Sequence, residues 1–365
     1  MRFRIPAVAV SFVGVAALVG AVRLMPSTIA QEESELVEAV ETVSEHAARL
    51  SAERQTAIDS LLAPYVGLVS VRIPPSEIEA NRWADSVLAT LSLDEKIGQL
   101  FVVDLRANWL IGARSLEQVA RDRGVGGFHV PRNMAPRTVL GHANRLQRVA
   151  RVPLFFTADY ERGVGQPSNN FAELPASMAL GAAASGILAE AAGAVTAMEA
   201  RATGVNVLFA PVTDVNNNPA NPIINTRSFG ENLRLVGQMA AAFTRGVQRY
   251  GALATLKHFP GHGNTNIDTH VALGMVPGTW EDLLVTELAP YKLALAERPG
   301  LVMTAHLWVR GLDDSEIPAT FSRRAIADVL RDSLGYDGIV TTDAINMGAI
   351  RSHNACCVRL RQAPT

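Results

Sequence analysis

After "SLDEKIGQLF" the chain settles into a regular beat, in which short apolar segments alternate with helical stretches of amphipathic spacing. That alternation predicts parallel βαβ units and disfavours an antiparallel sheet. Strands are expected near "LFVVD", "GGFHV", "LFFTAD", "VNVLFAP", "ALATLKH", "LVMTAH" and "GIVTTD". Helices are expected between them, for example around Leu188 to Arg201, Leu233 to Arg249 and Ser322 to Leu334. Polar residues close these strands at their C-terminal ends: Asp104, Asp159, Asp214, Lys257 with His258, His306 and Asp343. In a (β/α)8 barrel that face holds the active site. A doubly wound open sheet would also place ligands at this edge, but it would not need groups from nearly every strand. The expected fold class is therefore α/β, a TIM-type (β/α)8 barrel.

A length of 365 residues with 48% hydrophobic side chains can bury one large α/β domain and leave residues for appendages. The formal net charge of -2 supplies no basic field for nucleic acid, so small neutral or mixed-charge ligands are the expected partners. At the N-terminus, Arg2 and Arg4 precede an apolar run from Ile5 to Val22 and then small residues before Gln31. Residues 1–30 thus read as an export signal, of a length at which a cleaved signal and a retained membrane anchor overlap. A periplasmic, extracellular or membrane-anchored location follows. No cysteine follows the run, which argues against lipid modification, and the adjacent Cys356 and Cys357 give no disulfide framework. Residues 31–76 carry a stripe of Leu36, Val40, Val43, Ala47, Leu50, Ala57 and Leu61, broken at Arg54, ahead of Pro64, Pro74 and Pro75. This predicts a helical stalk and linker. A short coiled coil and an amphipathic helix lying on the main domain both fit, and the oligomeric state stays open.

Acids, histidines and a lysine at six strand ends suit a pocket that binds a hydroxyl-rich ligand and moves protons. Taken singly, each such residue is an ordinary strand-end cap or surface charge. The stretch "KHFPGHGNTNIDTH", Lys257 to His270, concentrates three histidines, a lysine and an aspartate. Zinc ligation by His258, His262, Asp268 and His270 is one reading, but Pro260 and Gly261 deny the helix that would align the first two. No metal and no cofactor are expected.

This stretch, followed downstream by "GIVTTDAINMGAI", resembles the two signature segments of glycoside hydrolase family 3, and more closely its bacterial β-N-acetylhexosaminidase branch. The K-H-F-P-G-H-G segment and the triplet Asp268, Thr269, His270 carry the likeness. "SLDEKIGQLF", "GVGGFHVPRN", "PLFFTADYERG", "NPANPIINTRSFGEN" and "VMTAHL" extend it over roughly Leu91 to Ala349. The resemblance implies a retaining exo-glycosidase acting through a glycosyl-enzyme intermediate, with a carbohydrate substrate from cell wall or chitin. It implies Asp343 as nucleophile and His270, paired with Asp268, as acid and base. An imidazole titrates near neutrality, and an adjacent carboxylate orients it and stabilises its protonated form. By the same resemblance Lys257 and His258 bind sugar hydroxyls, Asp159 holds those of the terminal sugar, and Arg227 contacts it; charge-assisted hydrogen bonds suit vicinal hydroxyls. Gly261 and Gly263 predict a mobile loop before the triplet. Relatives continue "E-G-G-R-V-Q-R" after the sugar-binding aspartate, whereas this chain reads "ERGVGQPSNN" with Pro167 in place of the final arginine. That contact is left open, with Arg162 as the candidate to replace it. The runner-up activity is a β-glucosidase, disfavoured by the D-T-H triplet.

After "DAINMGAI" the chain runs "RSHNACCVRLRQAPT", with no strand-like segment and no amphipathic helix. The expected domain is thus a family barrel over 77–350, truncated after its seventh strand, which would expose two edges and the core beneath. Residues 351–365 are expected to be an atypical tail arising from a shifted reading frame, a gene-model error or a contig end. The alternative is a truncated, non-catalytic sugar-binding protein.

Overall fold

The computed structural model describes residues 45, 48–63, 77–106, 115–167 and 171–351. The predicted export segment, the linker prolines, the first four stripe positions and the C-terminal tail after Arg351 lie outside the described residues. The chain divides into two compact units at Ser60 and Leu61. Residues 48–62 are helical, and the buried positions there are Ile58 and Leu62, one turn apart. Leu50 and Leu61 of the predicted stripe are exposed.

The larger unit begins with helices α1 (Glu77–Thr90) and α2 (Leu93–Gly98), the latter opened by a capping box from Ser92 and Glu95. Then the alternation starts: β1 (Val102–Asp104), α3 (Leu116–Asp122), β2 (Gly127–His129), α4 (Pro136–Val149) and β3 (Phe155–Ala158). It continues through α5 (Ser177–Ala183), α6 (Gly186–Ala202), β4 (Val207–Leu208), α7 (Leu233–Arg249) and β5 (Leu253–Phe259). The remaining elements are β6 (Gly274–Val276), α8 (Trp280–Val285), α9 (Ala289–Ala294), β7 (Leu301–Thr304), β8 (Leu307–Val309), a wide helix Arg324–Ser333, β9 (Ile339–Thr342) and α10 (Gly348–Arg351).

Seven parallel strands form one sheet in the order β1-β2-β3-β4-β5-β7-β9, a curled half-barrel of TIM type. They are the seven strands expected from the sequence. Their order follows the chain because each strand pairs with the next parallel one through a crossover. β5 is buried at six of its seven positions, as a parallel strand covered on both faces must be. Phe128, Phe156, Leu208 and Leu256 fill the core at the sheet, and α6 and α7 bury long runs of alanine, valine and methionine against it.

β6 and β8 form a separate two-stranded parallel ribbon in the loops beyond β5 and β7. At three residues each, "GMV" and "LWV" are too short for periodicity to reveal. Among the described residues no strand pairs with the outer side of β1 or of β9, and apolar side chains are exposed at both places. Leu100 is 81% exposed, Phe101 51% and Ile339 44%. Among the described residues no helix is long and apolar enough to cross a membrane.

Candidate active site

The strand ends converge on Lys257. Its chain neighbour His258 would point to the opposite face of a regular strand, yet both reach the same site. The register against β7 slips between Lys257 and Phe259, and this irregularity re-aims the two side chains. The Lys257 ammonium, 2% exposed, lies 2.7 Å from Asp159 Oδ1 and 2.7 Å from Glu161 Oε1. Arg227, placed by the short helix Asn225–Arg227, grips Glu161 with two prongs, Nε to Oε2 at 3.0 Å and Nη2 to Oε1 at 2.8 Å. Its Nη2 also reaches His258 Nε2 at 3.3 Å. On its other side His258 donates from Nδ1 to Asp214 Oδ2 at 2.6 Å. Only the tautomer with the proton on Nδ1 satisfies both contacts, leaving Nε2 to accept from arginine. His129 approaches Asp159 at 3.7 Å and is oriented by Thr157 at 3.0 Å.

Burial by itself would raise the Glu161 carboxyl, but Lys257 and Arg227 outweigh it and hold it far below the ordinary carboxylate range. Asp159 is likewise lowered against its burial by Lys257 and His129, and Asp214 against its burial by His258. Burial opposes the charge on Lys257, yet Asp159 and Glu161 raise its ammonium above the ordinary value. The three carboxylates and Lys257 are therefore held in their charged forms, with donors and acceptors set before any ligand arrives.

Asp343 follows β9. Its backbone N–H continues the ladder to Thr304 O at 3.1 Å, and its Oδ1 accepts the Ala344 N–H at 2.7 Å. His306 lies beneath: Nε2 donates to Ala344 O at 3.1 Å, and Nδ1 meets Thr320 Oγ1 at 2.8 Å. Burial lowers the His306 imidazole, with Asp343 pulling the other way.

The Asp268–His270 pair sits in the loop after β5. Asp268 Oδ1 accepts both the His270 backbone N–H at 2.9 Å and the ring Nδ1 at 2.7 Å. Burial tends to raise the Asp268 carboxyl, and the two His270 donors bring it below the ordinary value. With Nδ1 committed to the carboxylate, Nε2 is the nitrogen free to exchange a proton with a ligand. His270 O accepts the Gly348 N–H at 2.9 Å and Thr269 O accepts the Ala349 N–H at 3.1 Å, which ties the loop to the segment just after Asp343.

All seven residues predicted for the site thus lie at the C-terminal side of the sheet: Asp159, Arg227, Lys257 and His258 in one ionic cluster, with Asp268, His270 and Asp343 beside it. Three expectations need revision. Arg162 does not enter the cluster; its guanidinium lies 3.4 Å from Glu173. Gly261 and Gly263 are close-packing positions, where the loop had been expected to hinge: a Cβ at Gly263 would stand 1.6 Å from Val215 O, and one at Gly261 would run into Glu287. Glu161 and Asp214, absent from the expected set, are the buried acids that hold Arg227, Lys257 and His258. Only the strand-end position of Asp214 was visible beforehand. Among the described residues no group of three or more His, Cys, Asp or Glu is arranged to hold a metal ion.

Comparison with known proteins identifies the family. The profile described as "Glycosyl hydrolase family 3 N terminal domain" matches residues 92–363. "Beta-hexosaminidase A" of Pseudoalteromonas piscicida is 35% identical over 58% of this chain and 39% of its own length. "Beta-N-acetylglucosaminidase/beta-glucosidase" of Cellulomonas fimi is 32% identical over 74% of this chain and 49% of its own. The chain thus spans half or less of the length of these relatives. Among solved structures, the glycoside hydrolase family 3 β-N-acetylglucosaminidase of Paenibacillus sp. str. FPU-7 superposes with a TM-score of 0.68 at 39% identity, covering 72% of this chain and 51% of that one. From the strand-end cluster, the paired Asp268 and His270, and these similarities, the chain belongs to glycoside hydrolase family 3.

Proposed function

We propose that this chain carries the catalytic barrel of a retaining exo-β-N-acetylhexosaminidase, which releases terminal β-linked N-acetylglucosamine from cell-wall or chitin-type oligosaccharides. The observation that carries the reading is the backbone tether between the Asp268–His270 loop and the segment following Asp343, which supports pairing an acid–base imidazole with that carboxylate. In the first step an Asp343 carboxylate oxygen attacks the anomeric carbon while His270 Nε2–H gives its proton to the departing glycosidic oxygen. In the second, His270 Nε2 takes a proton from water as that water attacks the same carbon and Asp343 leaves. The Asp268 carboxylate keeps its charge throughout and stabilises the imidazolium. Asp159, Lys257, Arg227 and His258 supply directional donors and acceptors for vicinal hydroxyls. Both steps balance with side chains alone, so no cofactor enters. Substrate met outside the cytoplasm follows from the N-terminal basic and apolar segment, whether the protein is released or membrane-anchored.

A β-glucosidase is the second reading, favoured by the double name of the Cellulomonas fimi relative. Assays of the protein with aryl β-N-acetylglucosaminide and aryl β-glucoside, beside Asp343→Ala, separate the two. Cleavage of the N-acetylglucosaminide with β-configured product, and a loss of roughly a thousandfold or more in Asp343→Ala, is expected. Preference for the glucoside supports the second reading. Equal activity in wild type and Asp343→Ala, or cleavage of neither substrate, rejects the enzymatic reading.

A further inference from the structure

His262 belongs to the same histidine-rich stretch as Lys257 and His270, yet the reaction above gives it no part. It is 2% exposed. Its backbone is fixed from two directions: the N–H donates to Asp214 Oδ1 at 2.6 Å, and its carbonyl accepts Asn221 Nδ2 at 2.8 Å. Asn221 also holds Gly263 O at 2.9 Å, so the root of the loop cannot rotate freely. The ring crosses the polypeptide: Nε2 meets Thr269 Oγ1 at 3.0 Å, while Nδ1 is buried without a partner among the described residues. Burial and the neighbouring His258 push the imidazole down to about 4, so it carries one proton at neutral pH. An unpaired buried N–H is rarer than an unpaired lone pair. The proton is therefore assigned to Nε2, which donates to the threonine hydroxyl.

Thr269 stands between the two members of the dyad and is itself 2% exposed. Its side chain turns inward to His262, and its carbonyl accepts the Ala349 N–H at 3.1 Å. The flanking side chains turn outward: His270 is 60% exposed and Asp268 32%. Gly348 completes the arrangement, since a Cβ there would stand 2.1 Å from Val271 O. One residue is thus pinned from the sugar-binding side by an imidazole and from the nucleophile side by a backbone amide. A dyad needs placement to within about half an ångström to transfer a proton efficiently.

We propose that Thr269, held by His262, is a positioning residue that sets the height and direction of the His270 imidazole over the scissile bond. This rests on the glycosidase reading above. Loss of the hydroxyl leaves the nucleophile and the sugar ligands in place and weakens only proton delivery.

The test uses leaving groups of different acidity. A 2,4-dinitrophenolate departs without help, whereas a phenolate needs protonation in the transition state. Thr269→Val preserves shape and β-branching and removes the hydroxyl; Thr269→Ser keeps the hydroxyl. For Thr269→Val we expect kcat/KM on phenyl β-N-acetylglucosaminide to fall about tenfold or more, a fraction of what a general acid contributes, with about twofold change or less on the dinitrophenyl substrate. Thr269→Ser should restore the phenyl substrate, and His262→Gln should show the same selectivity. Equal losses on both substrates, no loss on either, or a serine variant as poor as valine would overturn the proposal. Asp343→Ala with undiminished activity on both substrates would instead reject the underlying reaction, whatever Thr269 does.

Discussion

Replacing Glu161 by glutamine tests whether the ionic cluster is the structural heart of the site. Glu161 accepts three charge-assisted hydrogen bonds, two from Arg227 and one from Lys257, at 2.7–3.0 Å. A glutamine with its oxygen at the Oε1 position keeps Lys257 and Arg227 Nη2 as partners of a neutral acceptor, loses the bond at Oε2 and turns an N–H toward Arg227 Nε. One charge-assisted bond at roughly 1.5–3 kcal/mol is lost and two are weakened as the counter-charge disappears, which amounts to about 3–5 kcal/mol, the cost of breaking a buried pair from one side. Lys257 keeps Asp159, and Arg227 keeps its contacts to Ile223 O and His258, which argues for the lower half of the range. In a domain of this size about 4 kcal/mol lowers Tm by roughly 10 °C.

The pH dependence has a definite sign. The folded carboxyl is held far below the ordinary 4.5, so at mildly acidic pH the native state binds fewer protons here than the unfolded chain. Its stabilisation is complete above about pH 4.5 and is lost as pH falls below that. Urea unfolding of wild type and Glu161→Gln at pH 7 and pH 3.5 should therefore show a gap that narrows on acidification. A difference under about 1 kcal/mol at pH 7, or a gap unchanged by acid, would refute the assignment of Glu161 as the buried counter-ion of both cations.

His306→Gln should lower kcat about tenfold with little change in KM, because it disturbs the Ala344 carbonyl beside Asp343 and leaves the sugar ligands untouched; steady-state kinetics on the aryl substrate decides it, and a KM effect alone would contradict it. For His262, the buried imidazole facing His258, Asp214 and Arg227 stays neutral down to about 4 while the unfolded side chain protonates near 6.5. Stability should accordingly decline by up to about 3 kcal/mol as pH falls from 6.5 to 4, and His262→Asn, measured by urea unfolding across that window, should lack this component.

The seven sheet strands were legible as unbroken apolar runs that end where the polar face begins, the pattern of strands covered on both faces, although the edge strands β1 and β9 are partly exposed. β5 is the clearest instance, since "LATLKHF" changes from apolar to ionic at the very residues that line the site. The ribbon of β6 and β8 escaped notice for the opposite reason. Its "GMV" and "LWV" segments lie in loops, where pairing is decided by the ends of β5 and β7 and not by local preference.

The resemblance to family segments named Asp343, Asp268, His270, Lys257, His258, Asp159 and Arg227, but not the contacts that connect them. Glu161 and Arg162 both stand within three residues of Asp159, and spacing alone does not say which of them turns toward the cluster. The backbone decides between these neighbours: Glu161 turns inward between Lys257 and Arg227, and Arg162 turns outward to Glu173. A buried lysine and a partly buried arginine together demand about two carboxylates, because an unpaired buried charge costs several kcal/mol. Asp159 alone could not satisfy both. Two basic residues assigned to one pocket were therefore already an argument for a second acid nearby, and Glu161 was the acid in reach.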